Sequence, residues 1–306
     1  MVLIRRLGSA ILMLFGLAAL SFLMIRFLPG GPFDGDRAWP PEILRTLQAH
    51  YGLDRPVLHQ LLTYFLNLAR GDWGTSFHFV DRSVSELIRE GAHVSIAVGL
   101  AAMLWSILGG LALAIGLTRA RWRSLRSICY LLCMAFLSLP NYVVAAVLIL
   151  CLAIGVPVFP VALWDESSSW VLPSLALAFK PAAMIARLLA ETLEETEKRL
   201  FVFGARTRGF SERRIFFHHI ARVGIVPTLT LLGPLAANLL TGSFVIETLF
   251  QIPGLGRHFV GSVLNRDYPM VSALTVLFGA ILVFTNFAVD GLTTWLDPRV
   301  RFEDTE

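Results

Sequence analysis

Hydrophobic positions in this chain gather into long runs rather than alternating. Residues 7–28, 93–117, 128–154, 171–189, 225–249 and 271–296 are almost uninterruptedly apolar, and each is at least as long as the roughly 18 residues needed for a helix to cross a bilayer. The pattern predicts an all-α polytopic membrane protein with six transmembrane helices. The first run is longer than the core of a secretory signal, and it ends at Arg26 and Pro29-Gly30-Gly31 instead of a small-residue cleavage site. It is therefore expected to be retained as a span. Pro140 interrupts the third run, so a kink is expected there, with the freed carbonyl met by a neighbouring helix.

Between the first two runs the pattern changes. Residues 29–92 mix polar and apolar positions, with helix signals too short or too charged to span. Pro40 and Pro41 can open a short helix through Glu42, Ile43, Leu44 and Leu47. Asp54 can cap a second one carrying Val57, Leu58, Leu61, Leu62, Phe65 and Leu66, which Gly71 and Gly74 end. Ser83 and Glu86 have capping-box spacing for a third. The predicted organisation is a first transmembrane helix (1–28), a small helical extracytoplasmic subdomain (29–92), a five-helix core (93–296) and a cytoplasmic tail (297–306).

Charge orients these elements. Arg5 and Arg6 precede the first run, and Arg119, Arg121, Arg123 and Arg126 follow the second without an intervening acid. The stretch 200–227 carries Arg206, Arg208, Arg213, Arg214 and Arg222 against Glu212 alone, whereas the 155–170 loop has Asp165 and Glu166 and no basic residue. Basic loops stay inside, which places both termini in the cytoplasm. Arg257 and Arg266 fall in an outer loop against this rule, with Asp267 adjacent to the latter.

Composition narrows the function. With 56% hydrophobic and 16% charged residues and a mean hydropathy of +0.67, much of the surface must face lipid, and the net charge of +4 speaks to orientation, not to nucleic acid. Lys180 and Lys198 are the only lysines and neither follows a glycine, so ATP hydrolysis through a P-loop is excluded. Cys129, Cys133 and Cys151 lie in one apolar run and read as packing residues. His218 and His219 are adjacent, His93 stands alone and no H-E-x-x-H occurs, so neither a metal site nor catalytic residues are expected.

Polar groups inside the runs need partners. Arg187 and Asp290 fall about a turn from the cytoplasmic ends of their runs, and we expect them to pair, or to snorkel to the interface if they do not, with Asn286 sharing the Asp290 face at i, i+4. Lys180 lies mid-run before Pro181. It is a candidate either for a translocation path or for pairing with another subunit. Asn238 offers a cross-helix hydrogen bond. Glu247 ends the fifth run beside Pro253-Gly254-Leu255-Gly256 and is a candidate for an outer gate or for a contact with an extracytoplasmic partner. The glycines of that turn are expected to supply positive φ.

Several strings then combine into a resemblance that covers nearly the whole chain: PGGPF at 29–33, YGLDRP at 51–56, GDWGTSF at 71–77, GARTRGFSERR at 204–214, TGSFVIETLFQIPGLG at 241–256, NRDYP at 265–269 and LDPRVRF at 296–302. In their order and spacing they resemble the permease subunits of binding-protein-dependent peptide ABC importers, most of all the oligopeptide permease B-subunit branch. The resemblance implies a type I ABC importer permease fold in the bacterial inner membrane. Its partners would be a second homologous permease, two cytoplasmic ATPases that bind ATP and Mg, an extracytoplasmic peptide-binding protein and the peptide itself. This chain would hold no cofactor. Stretch 200–227 then matches the cytoplasmic coupling segment, with Ala205, Arg206, Arg208, Gly209, Ser211, Glu212, Arg213 and Arg214 meeting an ATPase. Ala205 and Gly209, four apart, would share a helix face that allows close approach. Leu200 and Phe203 depart from the acid and arginine of relatives, making the docking contact more apolar. Dipeptides or nickel chelates are alternative cargoes, and a self-sufficient secondary transporter is the alternative mechanism.

Overall fold

The structure is a computed structural model, and it describes residues 2–27, 31–33, 40–79 and 81–296. Their regular structure is helical apart from one bridge between Thr75 and Ser83. The expectations for Arg5 and Arg6 side chains and for the 297–306 tail lie outside what is described.

Five helices are long and apolar enough to cross a membrane, or six if one bent pair counts as a span. α1 is Val2–Arg26, α2 Pro41–His50 and α3 Val57–Ala69. α4, Val84–Arg119, runs 36 residues without a break, so the expected subdomain and second span are joined by one continuous helix. Its start follows the capping-box signal: Ser83 Oγ accepts from the Glu86 N–H at 3.2 Å, satisfying a donor that the first turn leaves free.

The third run departs most from expectation. α5 (Arg123–Ser138) and α6 (Asn141–Leu148, continuing as a π-helix to Gly155) meet at 112°. A helical kink at Pro140 has become a break. Proline disfavours the α region for the residue before it, and Leu139 is extended at φ −78°, ψ 131°, so the helix stops and restarts. Proline does not have this effect in α7 (Val171–Glu197), which continues through Pro181. There Ser106 Oγ lies 3.2 Å from the Ala178 carbonyl and 2.6 Å from that of Ala102, supplying a donor in the turn that proline disturbs.

The basic stretch forms α8 (Leu200–Thr207), α9 (Glu212–Ile215), a π-helical turn (Phe216–Ile220) and α10 (Ala221–Gly224). α11 (Val226–Leu240) and α12 (Phe244–Leu249) make up the fifth run, separated around Gly242 at φ +84°. α13 is Leu255–Leu264 and α14 Tyr268–Leu296.

The chain forms two compact units, Met1–Val94 with Pro253–Ile281, and Ser95–Ile252 with Leu282–Glu306. In the first, Val84, Leu87, Leu255, Met270, Ala273 and Leu274 form a buried core, with Trp73, Phe259 and Phe278 packed around it. In the second, Cys133 packs against Ala183 and Ala186. Helix contact there depends on Gly99, where a Cβ would lie 2.5 Å from the Leu239 carbonyl oxygen. Only glycine lets α4 and α11 approach that closely.

Candidate functional site

The basic stretch is anchored before it is exposed. Val202 and Ala205 of α8 are buried with Ile215 and Ile220 against Leu189 and Leu193 of α7 and Ala114 of α4. α8 then ends in two hydrogen bonds, Gly209 N–H to Arg206 O at 3.0 Å and Phe210 N–H to Ala205 O at 3.3 Å, the pair that defines a Schellman stop. Gly209 sits at φ +78°, in the left-handed region that a side chain disfavours. The expected shared docking face of Ala205 and Gly209 is therefore absent. Ala205 is turned into the core, and Gly209 is the turn residue that ends the helix. Ser211 caps α9, its Oγ accepting from the Arg214 N–H at 3.4 Å.

Several of the expected partner-seeking groups are engaged within the chain. Arg119 contacts Glu197 at 3.2 Å, Arg206 contacts Glu197 at 2.8 Å, and Arg206 Nε donates to Glu212 at 2.9 Å. This ladder ties α8 and α9 to α7 and α4. The Arg206 hydrogen bond holds the Glu212 carboxyl below the usual carboxylate range, and the hydrogen bonds that Arg206 donates to Glu212 and then to Glu197 raise its own pKa. Arg214 lies over the Phe210 ring at 4.7 Å, which itself stacks on His219 at 6.1 Å. Arg208, Gly209 and Arg213 remain exposed, and the two arginines make no ion pair among the described residues. Beside them Leu200 is 88% and Phe203 66% exposed. The outward surface of α8 is thus apolar with an arginine rim.

The polar residues of the spans separate into outward and inward groups. Lys180 is exposed on a helix whose neighbouring Leu177, Ala178 and Pro181 are buried, and it has no ion pair among the described residues. Asn238 is exposed on α11. Glu247, by contrast, is buried and accepts from Ser95 Oγ at 2.8 Å. It is an internal acceptor for α4 rather than an exposed gate. Asn286 packs on Gly233, where a Cβ would lie 2.5 Å from its Oδ1. The expected Arg187–Asp290 ion pair is not among those formed by the described residues. Arg187 is exposed and makes no ion pair among the described residues.

Sequence reasoning missed a site in the first unit. Asp267 is fully buried and receives Ser76 Oγ, the Phe77 N–H at 3.1 Å and the Met270 N–H at 3.4 Å. It caps α14 and clamps the 71–79 loop at once. Around it the Phe77 ring meets Tyr51 at 4.5 Å, Phe33 at 5.7 Å and Tyr268 at 6.1 Å. Residues from PGGPF, YGLDRP, GDWGTSF and NRDYP thus converge on one aromatic knot. Asp267 stands directly before Tyr268-Pro269, a helix-start signal that its neutralising place beside Arg266 obscured. The expected glycine turn also differs: Gly254 has φ −101°, and the positive φ of +53° falls on Gln251.

A family model described as "Binding-protein-dependent transport system inner membrane component" matches residues 106–302. The chain is 35% identical over 301 residues to the dipeptide transport system permease protein DppB of Lactococcus lactis subsp. cremoris, covering 97% of this chain and 98% of the relative. It is 36% identical over 303 residues to the oligopeptide transport system permease protein OppB of Salmonella typhimurium, covering 98% of each. Among solved structures, a chain of the MetNI methionine ABC transporter aligns with a TM-score of 0.54 at 16% identity, over 69% of this chain and 96% of that one. A chain of an amino acid ABC transporter aligns at 0.50 and 15%, over 71% and 95%. At these identities the structural likeness concerns the fold.

Proposed function

Because the chain belongs to the OppB/DppB peptide permeases among the binding-protein-dependent inner-membrane transport components, we propose that it is the spanning subunit of an oligopeptide importer driven by separate ATPases. The observation that carries the coupling role is α8: one face is fixed in the core by Val202 and Ala205, while the other presents Leu200, Phe203 and Arg208 outward. A helix held so firmly can pass a partner's displacement to α7, which coupling between two states requires. Arg208 and Arg213 give the rim charge for acidic or backbone acceptors.

In this reading both termini are cytoplasmic, a second homologous permease completes the path, and two ATPases with ATP and Mg power it. A peptide-binding protein delivers cargo from outside. This chain contributes no catalytic residue. Lys180 and Asn238 face the translocation path, Lys180 meeting a peptide carboxylate or a facing acid.

The test reconstitutes the complete transporter in nanodiscs and compares native protein with a Leu200→Glu/Phe203→Glu variant. Both positions are exposed, so folding should be retained. Peptide-stimulated ATPase activity should fall by about tenfold or more, as loss of a few apolar anchors from an interface centre costs over 1.4 kcal/mol. Unchanged stimulation would refute docking through α8. Uptake that persists without ATP would refute the ATP-driven mechanism in favour of a secondary transporter. Uptake across a peptide length series, with nickel chelates as comparison, decides the cargo.

A further inference from the structure

α3 is amphipathic in the opposite sense to a helix resting on a water-exposed subdomain. Gln60, Thr63, Tyr64 and Asn67 turn inward and, with Arg26 and Asp72, line a cavity of about 330 Å³. The Tyr64 hydroxyl is buried there with no hydrogen-bond partner among the described residues. The outward side carries Leu58, Leu62 and Leu66, spaced i, i+4, i+8 and 69%, 56% and 59% exposed. A helix between core and water shows the reverse, apolar side chains inward and polar ones outward.

The helix also lies against a span. Phe65 stacks on Phe15 at 5.3 Å and Tyr64 on Phe22 at 5.5 Å, both on α1. Phe15 precedes Arg26 by 11 positions, about 16 Å along the helix axis and therefore near the middle of a hydrocarbon layer roughly 30 Å thick. The α1 surface here is itself apolar and uncovered, with Leu12 at 75% and Leu20 at 56% exposure. At 13 residues, α3 extends about 20 Å, too short to cross.

We propose that α3 is seated in one leaflet of the bilayer, its leucine stripe against acyl chains and continuous with the lipid-facing surface of α1. Its polar face then closes the Arg26–Asp72 cavity off from lipid. The 29–92 segment is thereby partly a membrane element instead of a wholly extracytoplasmic subdomain. This seating of α3 rests on the inner-membrane placement of α1 and is independent of cargo and coupling.

A nitroxide at Leu62→Cys, with Cys129, Cys133 and Cys151 replaced by alanine, tests this in the complete transporter in phosphatidylethanolamine/phosphatidylglycerol nanodiscs. Oxygen should relax the label several-fold more than a water-soluble nickel chelate, with the reverse order for Arg45→Cys on α2. A Leu62 label that the chelate reaches as readily as the Arg45 label overturns the proposal. Shielding from both reagents, the sign of a protein partner over the stripe, overturns it too. A benzophenone amino acid at Leu62 in the chain with its native cysteines provides an independent reading: photoattachment to lipid supports the proposal and attachment to a partner subunit refutes it. Peptide-stimulated ATPase activity, measured on the same samples, reports separately on the importer function.

Discussion

Asp267 in the first unit and Glu197 in the second each bring distant parts of the chain together, by opposite physical means. Asp267 has no exposure and takes its hydrogen bonds from a hydroxyl and two backbone N–H groups. Glu197 has a side chain 31% exposed and works as the middle rung between two arginines. Removing a buried acceptor strands donors that water cannot reach, whereas a solvated ion pair leaves its groups free to hydrate. The first arrangement fixes structure and the second fixes orientation. Substitutions in the two places should therefore separate stability from coupling.

Asp267→Ala should have the largest effect. Loss of the α14 cap and of the acceptor for Ser76 and Phe77 should lower stability by about 2–4 kcal/mol, read as a fall in Tm of the purified transporter. Asp267→Asn, which keeps a carbonyl acceptor, should recover part of it. Equal melting of native protein and the alanine variant would show that the clamp is dispensable. Gly99→Leu comes next. The side chain would meet the Leu239 backbone, and overpacking of this kind costs about 1–3 kcal/mol. Cysteine cross-linking between α4 and α11 should show their separation widened.

Gly209→Ala should cost less, about 1–2 kcal/mol, from the left-handed backbone alone, since a Cβ there meets nothing within 4 Å. Gly209→Asn should be milder, because asparagine tolerates this conformation. If a helical face were the reason for glycine, alanine would be harmless and asparagine worse, so the order of the two variants in a thermal melt distinguishes stop from docking face.

Those glycines also show what could be read from the chain in advance. The apolar runs and the Ser83–Glu86 cap were legible because each rests on residues close in sequence. Gly209 carried the same kind of local signal, a glycine followed by Phe210 and a capping Ser211, but spacing from Ala205 suggested a continuous helix that the Schellman stop cuts short. Pro140 marked the place of the break in the third run, not its size, since the α5–α6 angle is a property of packing. The Ser76–Asp267 contact joins residues 191 positions apart, and the inward turn of Glu247 depends on Ser95, 152 positions away. Such pairings follow from how the helices pack. The sequence pattern likewise identified the apolar positions of α3, yet which of them turn outward became clear only from the stacking on α1.

Arg206→Gln should have the smallest effect on stability and still reduce coupling. It opens the ladder between Glu197 and Glu212 but leaves Val202, Ala205 and Ile215 buried, so α8 should keep its fold and lose its fixed angle to α7. The expected outcome is an unchanged Tm with weaker peptide-stimulated ATPase activity. High salt should weaken stimulation in the native transporter and do so less in the variant, because exposed ion pairs are screened. Acid offers the same test without a mutation. The Glu212 pKa is depressed in the folded protein, so its contribution is fully present above the unfolded carboxylate value of about 4.5 and is lost as pH falls through the lower folded value. Between those limits native α8 should loosen while the Arg206→Gln variant, already without the bond, changes little. Hydrogen exchange at 200–215 measured across that range would reveal it, and identical profiles for the two proteins would show that the ladder does not hold the segment in place.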